Sequence, residues 1–310
     1  MQIKDLVDKI ISFGERQLEG EVECRRWMES LLNDSRVDYQ LLKFKTNVPR
    51  YLNYSLKVDG MPIPCLPTSY VSGKIESNKC LTSVFCEIDE SETPFNINFN
   101  PLCDSISRHT HYFHPSLAIS KHNVVDIINA KKIEGVVEVD NVLHDTASIL
   151  VGNMSNPKKI LFSHFDSVEI GATDNASGTA VMLYLALNYP GFLKENLLVF
   201  DSNEELSFEK PIYWGKGYRV FEDNYGDLLD NAKEILIVDC VGQTPLEIIT
   251  DPEWLFQGFP ITQINKYASK IKMLAGDVDT LMSVYQSPID TLGQQNEAYL
   301  KEALDYILKN

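Results

Sequence analysis

Three apolar runs in the second half of the chain lead to side chains that could bind a divalent metal ion. Run 160–162 leads to His164, Asp166 and Asp174, run 197–200 to Glu204 and Glu205, and run 235–238 to Asp239. Histidine and carboxylate groups are common zinc ligands. Sites in open α/β sheets lie at the carboxyl ends of strands, so the pattern predicts a cocatalytic metal site on strand ends.

The elements that must position these groups alternate between strand and helix from residue 145 onward. The runs before the candidate ligands are apolar throughout, as in strands covered on both faces. Apolar residues on one helical face predict helices at 3–11, 24–32 and 300–308, and a further helix follows Asp174 at 176–189. We therefore expect a three-layer α/β domain with a mostly parallel mixed sheet flanked by helices.

Four segments together resemble the M28-type zinc aminopeptidases, a family that also includes the glutaminyl cyclases. They are HFDS at 164–167, TDNASG at 173–178, EE at 204–205 and VDCVG at 238–242. The resemblance covers about residues 145–310 and, more loosely, the first forty residues. It implies a zinc-dependent exopeptidase with one or two zinc ions.

The resemblance also implies a ligand set for two zinc ions. Asp174 is then the carboxylate that bridges them. His164 and Asp239 complete the first site, and Glu205 binds the second ion. Such a pair of ions can lower the pKa of a shared water and polarise a carbonyl group.

Two further roles follow from the same resemblance. Glu204 is the general base, and later the acid that protonates the leaving amine. Asp166 lies two residues after His164 and orients its imidazole ring. The peptide bond that follows Asp174 is cis in this family.

The chain departs from the family pattern at Gln286. The last expected ligand is a histidine in a C-terminal H-[ST]-P-x-D-T segment, but residues 286–291 here read QSPIDT, and no histidine follows His164. An amide oxygen is a weaker zinc ligand than imidazole, so the second site should bind zinc poorly. Three alternatives stay open: a weakened two-metal site, a one-zinc hydrolase, and a protein that has lost the hydrolytic chemistry.

Three functions are compatible with these residues. The first is an aminopeptidase that hydrolyses N-terminal residues from a peptide substrate, with carboxylates near the metals holding the free amine. The second is a non-catalytic pseudopeptidase that binds a peptide or protein partner, which Gln286 would favour. The third is a one-zinc acyltransferase of the glutaminyl cyclase type, but those enzymes depend on the missing C-terminal histidine.

Residues 49–144 predict a small β-rich domain inserted into the larger one. Prolines separate short β-like pieces at 54–58, 70–75, 83–88 and 136–139. The segment is similar to the protease-associated insert of some M28 members. We expect a catalytic domain of residues 1–48 and 145–310 and an inserted domain of residues 49–144.

The inserted segment also holds two clusters that could bind metal. On a strand, His109 and His111 would share a face, with His114 close by. Since only Asp104 accompanies them, exposed loop histidines are the favoured interpretation. Zinc-binding cysteines usually include a CxxC pair, and that spacing is missing among Cys65, Cys80, Cys86 and Cys103.

Composition limits the partners and the compartment. The formal net charge of −16 argues against a nucleic acid or an anionic membrane as partner. Charged residues interrupt the first ten positions, so no secretory signal is expected there. Six scattered cysteines without a CxxC pair favour reduced thiols in the cytoplasm. The oligomeric state is not determined by the sequence.

Overall fold

The computed structural model describes residues 2–86, 88 and 93–310. The chain divides into two compact units, Met1–Thr46 with His144–Leu281 and Asp290–Asn310, and Asn47–Leu143 with Met282–Ile289. The second unit takes in Met282–Ile289, which the predicted bounds place with the larger domain. Those bounds, 1–48 with 145–310 and 49–144, stay a prediction. Glu87, in the β-like piece predicted at 83–88, lies outside the described residues.

Strands and helices follow one another in a mixed order. The strands are β1 (Tyr39–Val58), β2 (Met61–Ile63), β3 (Cys65–Pro67), β4 (Gly73–Ile75), β5 (Leu81–Ser83), β6 (Asn96–Phe99), β7 (Ser116–Ile119), β8 (Ile133–Gly152), β9 (Lys159–His164), β10 (Leu197–Asp201), β11 (Glu234–Val238), β12 (Glu247–Ile249) and β13 (Ile271–Ala275). The helices are α1 (Ile3–Ile11), α2 (Glu19–Asp34), α3 (Val124–Asn129), α4 (Ser177–Asn188), α5 (Pro190–Leu193), α6 (Lys216–Asn231), α7 (Pro252–Gly258), α8 (Ile264–Tyr267), α9 (Val278–Met282) and α10 (Glu297–Lys309).

The main sheet of the first unit is mixed, with a parallel centre. The strand order is β12-β13-β11-β9-β10-β8-β1. Strand β2 pairs with residues 56–58 of β1, which belong to the second unit. Strands β13, β11, β9 and β10 run parallel, whereas β12 and β8 are antiparallel to their neighbours. The predicted fold class, a mostly parallel mixed sheet flanked by helices, is confirmed.

Both faces of this sheet are covered, because successive residues of one strand enter different cores. Leu161 packs in the core that α1, α4 and α10 share. Phe162, the next residue, packs in the core formed with α6 and α7, where its ring lies 5.0 Å from that of Phe221 and 4.7 Å from that of Phe259. This alternation places helices on both sides of the strands, as the apolar runs predicted.

Two strands are much longer than the sequence patterns predicted. The patterns indicated short β-like pieces at 54–58 and 136–139 in these two regions. The structure has one strand of 20 residues in each region, β1 and β8, and the two are neighbours in the sheet. Each strand runs unbroken through turn-forming residues, Pro49 in β1 and Asp140-Asn141 in β8.

The second unit is β-rich and has its own small sheet. In the order β3-β7-β6-β5, strand β3 is antiparallel to β7, and β5, β6 and β7 run parallel. Strand β4 pairs with the first part of β8. The core of the second unit includes four buried residues, Leu56, Ile75, Ile97 and Leu117.

The histidines of this unit contradict the expectation of exposed loop residues. His111 and His114 are 1% and 6% exposed. The His114 ring stacks on that of Tyr112 at 5.2 Å, and the His111 ring lies 6.0 Å from that of Tyr70. Burial lowers the pKa of His109 and of His114 to about 4. Among the described residues, none of these histidines joins a group of three metal-ligating side chains. Aromatic packing accounts for their burial.

In residues 2–86, 88 and 93–310, none of the helices has the length and apolar character that crossing a bilayer requires.

Candidate metal centre

The three strand ends that carry the candidate ligands lie side by side. Strand β9 ends at His164, which is in register with Asp201, the last residue of its neighbour β10. On the other side β11 ends at Val238, immediately before Asp239. All three strands run parallel, so their carboxyl ends meet at one edge of the sheet. The alternation of apolar runs and polar ends in the sequence is the cause of this convergence.

Two groups of ligand atoms converge at this edge, and Asp174 belongs to both. In the first group, ligand atoms of His164, Asp174 and Glu205 all lie within 4.8 Å of one another, and in the second the same holds for Asp174, Asp239 and Cys240. His164 Nε2 lies 3.2 Å from Asp174 Oδ1 and 3.5 Å from Asp239 Oδ1. Asp174 is therefore the residue common to both groups, and its role as a carboxylate shared by two ions stays a prediction.

The charges of this cluster fit a bound cation. Burial raises the pKa of Asp174 and of Glu205, and neighbouring carboxylates raise both further. Burial lowers the pKa of His164, but its carboxylate neighbours outweigh that effect, and the pKa lies well above its ordinary value. Among the described residues, Asp174 Oδ2 is buried and has no hydrogen-bond partner. Such an oxygen is unfavourable unless a cation or donor meets it. Imidazole and carboxylates together suit zinc.

Asp166 holds the loop that carries Glu204 and Glu205. The backbone N–H groups of Glu204 and Glu205 donate to Asp166 Oδ1 and Oδ2, both at 3.0 Å. Gln17 Nε2 donates to Oδ2 at 3.1 Å. The side chain lies farther from the His164 ring, with Oδ1 at 3.5 Å from Nδ1. The carboxylate thus positions the two glutamates through their backbone, a contact that sequence reasoning did not foresee.

The backbone of Asp166 fixes the tautomer of His164. His164 Nδ1 lies 3.1 Å from the Asp166 carbonyl oxygen. A carbonyl oxygen only accepts hydrogen bonds, so Nδ1 carries a proton and donates. Since the pKa of His164 lies well above its ordinary value, Nε2 also carries a proton and faces Asp174 and Asp239. Loss of that proton would leave a lone pair for a metal ion.

Arg16 supports the loop that joins His164 to Asp174, although nothing in the sequence marks it. The side chain is fully buried. Its guanidinium donates to the carbonyl oxygens of Phe165 at 2.6 Å, Ile170 at 2.7 Å and Gly171 at 2.9 Å. Three bonds from one planar group tie both ends of residues 165–171 together.

Asp290 fixes the backbone on the other side of this loop. Its carboxylate accepts hydrogen bonds from the N–H groups of Thr173 at 2.9 Å and Asp174 at 3.1 Å. Burial raises the pKa of Asp290 to about 6. The residue belongs to the QSPIDT segment that the sequence singled out, but its contact with the Asp174 backbone could not be predicted from that motif.

Asn175 connects the ligand loop to the end of β11. The peptide bond between Asp174 and Asn175 is cis, as the resemblance implied. The Asn175 amide donates to the Val238 carbonyl oxygen at 3.0 Å, and its Oδ1 accepts from the N–H groups of Gly178 at 2.9 Å and Cys240 at 3.3 Å. A Cβ at position 178 would overlap the Val238 carbonyl oxygen, so glycine is required there.

Glu204 is buried on this loop, with 8% of its surface exposed. Burial raises the pKa of Glu204 well above its ordinary value, and the carboxylates of Asp166, Asp239 and Asp174 raise it further against the opposing effect of His164. A carboxylate in such surroundings is a stronger base than one in water.

Gln286 belongs to the second compact unit. Its backbone φ is 45°, and its carbonyl oxygen accepts a hydrogen bond from the Arg108 N–H at 2.8 Å. Its side-chain amide lies 3.3 Å from the hydroxyl oxygen of Tyr285. The role of Gln286 as a ligand of a second zinc ion stays a prediction.

Comparisons with known proteins agree with the resemblance seen in the motifs. The model of Peptidase family M28 matches residues 141–200. None of the curated proteins matches the sequence. Similar solved structures include BSAP, a zinc aminopeptidase from Bacillus subtilis, with 17% identity, a TM-score of 0.71 and coverage of 98% of this chain and 92% of that chain.

Two further structures show the same fold at greater sequence distance. A Peptidase M28 precursor from Shewanella amazonensis is 13% identical, with a TM-score of 0.70 over 98% of this chain and 90% of that chain. A glutaminyl cyclase from an Acidobacteriales bacterium is 11% identical, with a TM-score of 0.52 over 99% of this chain and 92% of that chain. The matched segment and the shared fold confirm that this chain resembles the M28 zinc aminopeptidases.

Proposed function

We propose that the chain is a zinc-dependent exopeptidase, an aminopeptidase that hydrolyses N-terminal residues from peptides. The observation that carries the proposal is the pair of ligand groups that share Asp174, with Glu204 on the loop beside them. The titles of solved structures with this fold, zinc aminopeptidase and Peptidase M28 precursor, support the same class of reaction.

The ligand sets that the resemblance implies divide these residues differently from the two groups. His164, Asp174 and Asp239 would hold the first zinc ion, since His164 Nε2 lies 3.2 Å and 3.5 Å from the two carboxylates. Asp174 with Glu205 would hold a second. When bound, zinc would supply a Lewis acid that lowers the pKa of a water and polarises the scissile carbonyl group. The buried oxygen Asp174 Oδ2, which has no partner among the described residues, supports this arrangement.

Glu204 would act as the general base. Its carboxylate takes a proton from the attacking water as the new C–O bond forms, and it returns that proton to the leaving amine as the C–N bond breaks. The loop that carries it is held on two sides, because its N–H donates to Asp166 and its carbonyl oxygen accepts from the Gly215 N–H at 2.5 Å. A base fixed by its backbone can keep one orientation through both proton transfers.

The surplus of buried carboxylates supports a preference for a free α-amine in the substrate. Four carboxylates lie in the same buried region, those of Asp174, Glu204, Glu205 and Asp239. Two divalent ions would neutralise their four negative charges only when both metal sites are occupied. With a weakened second site, negative charge is left to attract the substrate ammonium group. The net charge of −16 likewise supports a peptide substrate rather than a nucleic acid.

Free thiols support a cytoplasmic location. All six cysteines are free, and Cys86 is exposed. Exposed free thiols persist in a reducing compartment, whereas oxidising compartments favour disulfides.

Replacing Glu204 by Gln should remove hydrolysis and leave zinc binding intact. The amide keeps the shape of the side chain but cannot accept a proton, so turnover of aminoacyl-p-nitroanilides should fall by about 10²–10⁴-fold. Glu195→Gln, at a position that is 57% exposed, is the matched control and should have no effect. Unchanged turnover in Glu204→Gln would exclude Glu204 as the base. If the parent protein binds zinc but cleaves neither free nor N-acetylated substrates, it is a pseudopeptidase.

Replacing Asp166 by Asn should weaken zinc binding by about 10–100-fold, because the amide loses one of two acceptors for the N–H groups of Glu204 and Glu205. Calorimetric titration of metal-stripped protein measures the change. Asp145→Asn, at a position that is 80% exposed, serves as the control. Equal affinities in both variants would mean that the glutamate loop keeps its position without Asp166.

Replacing Gln286 by His should raise the affinity for a second zinc ion by about tenfold or more, since imidazole is the stronger ligand. Histidine also tolerates the left-handed φ of 45° at this position better than most residues. The control is Gln257→His, an exposed position on α7, which tests whether any added histidine binds zinc. If calorimetry and turnover stay unchanged in Gln286→His, the QSPIDT segment is wrongly aligned with the family motif.

The cytoplasmic location can be tested on the exposed thiol of Cys86. In intact cells, a membrane-permeant maleimide should label Cys86, whereas an impermeant maleimide should not. Labelling by the impermeant reagent would place the protein outside the cytoplasm. Cys86→Ser provides the background signal for both reagents.

A further inference from the structure

Cys240 lies at the edge of the candidate metal centre and has no role in the reaction outlined above. The residue directly follows Asp239 and is 7% exposed. Its Sγ donates to Asp239 Oδ1 at 3.3 Å. Cys240 Sγ and carboxylate oxygens of Asp174 and Asp239 all lie within 4.8 Å of one another, so the sulfur faces the same point as two candidate ligands.

A second feature is a carboxylate oxygen at this point that lacks a partner. Asp174 is 4% exposed, and its Oδ2 has no hydrogen-bond partner among the described residues. In the part of the chain that the structure describes, the ion pairs of Asp174 and Asp239 involve only His164, through Nε2. Within that part, the imidazole of His164 is thus the one cationic partner of two buried carboxylates that lie beside a thiol. An additional cation would give Asp174 Oδ2 the partner that it lacks.

We propose that Cys240 is itself a ligand, binding as a thiolate the zinc ion that Asp174 and Asp239 hold. The inference rests on the metal site of the proposed function and adds a ligand to it. On binding, the S–H bond breaks, the proton leaves to solvent, and a sulfur lone pair forms the bond to the metal. The hydrogen bond from Sγ to Asp239 Oδ1 is lost in the same step, which frees that oxygen for the metal.

A thiolate changes which metal this site selects. Carboxylates alone suit hard cations such as Mg²⁺, Ca²⁺ and Mn²⁺, whereas thiolate with imidazole suits zinc and its softer relatives. Cys240 would therefore strengthen the first site at the same time as Gln286 weakens the second. The chain should bind one ion tightly and a second one poorly.

Cobalt(II) titration of the metal-stripped full chain tests this ligand directly. Bound cobalt gives weak visible bands whatever its ligands, and a thiolate ligand adds an intense charge-transfer band in the near ultraviolet. We expect both in the parent protein. Cys240→Ser should keep the visible bands, lose the near-ultraviolet band and bind zinc about tenfold more weakly or worse. Cys86→Ser, a control at an exposed thiol, should keep both bands.

The outcomes separate this inference from the metal site itself. Visible bands without a near-ultraviolet band would overturn the Cys240 ligand and leave the metal site standing. A near-ultraviolet band that survives in Cys240→Ser would also overturn it. No cobalt bands at all would remove the metal site and the ligand together. If Cys240→Ser does not fold, alkylation of the parent protein decides, because bound zinc should protect Cys240 and leave Cys86 reactive.

Discussion

The structure depends on keeping several buried acidic groups at one edge of a sheet. Asp174, Glu204 and Glu205 are each less than a tenth exposed, and burial raises the pKa of all three. Removing like charges from water is strongly unfavourable unless they are neutralised by protons or by a cation. His164 is the single imidazole of the two ligand groups. Under the proposed function, a divalent metal would neutralise the cluster and would also supply its chemistry.

Such a cluster needs a backbone that cannot relax away from it, and polar groups outside the ligand set provide that backbone. Asp166 binds the N–H groups of both glutamates, Asp290 binds those of Thr173 and Asp174, and Arg16 binds three carbonyl oxygens of the loop between them. Each bond satisfies a buried backbone group that would otherwise be unpaired. The positions of the candidate ligands are therefore fixed largely through the main chain, and their side chains stay available to a metal ion.

Features that depend on neighbouring residues in the chain could be predicted from the sequence, whereas contacts between distant segments could not. The strand ends at His164 and Val238 follow from apolar runs of strand length, and helix α1 follows from its apolar face. Arg16 carries no such signal, because its partners lie about 150 residues away along the chain. The long strands β1 and β8 were also missed, since periodicity cannot tell one strand of 20 residues from two shorter ones. The length of each strand is decided by its pairing with the neighbouring strand in the sheet.

The side chain at position 286 and the backbone that holds Asp174 are independent of each other. Asp290 lies four residues after Gln286 in the same short segment, yet it acts on the backbone of Asp174 and not through residue 286. The ligand common to both groups is thus held in place whichever side chain stands at 286. His164 and Asp239 sit on strand ends fixed by the sheet register. Under the proposed function, a change at 286 would therefore alter the binding of a second ion and leave the scaffold of the first site in place.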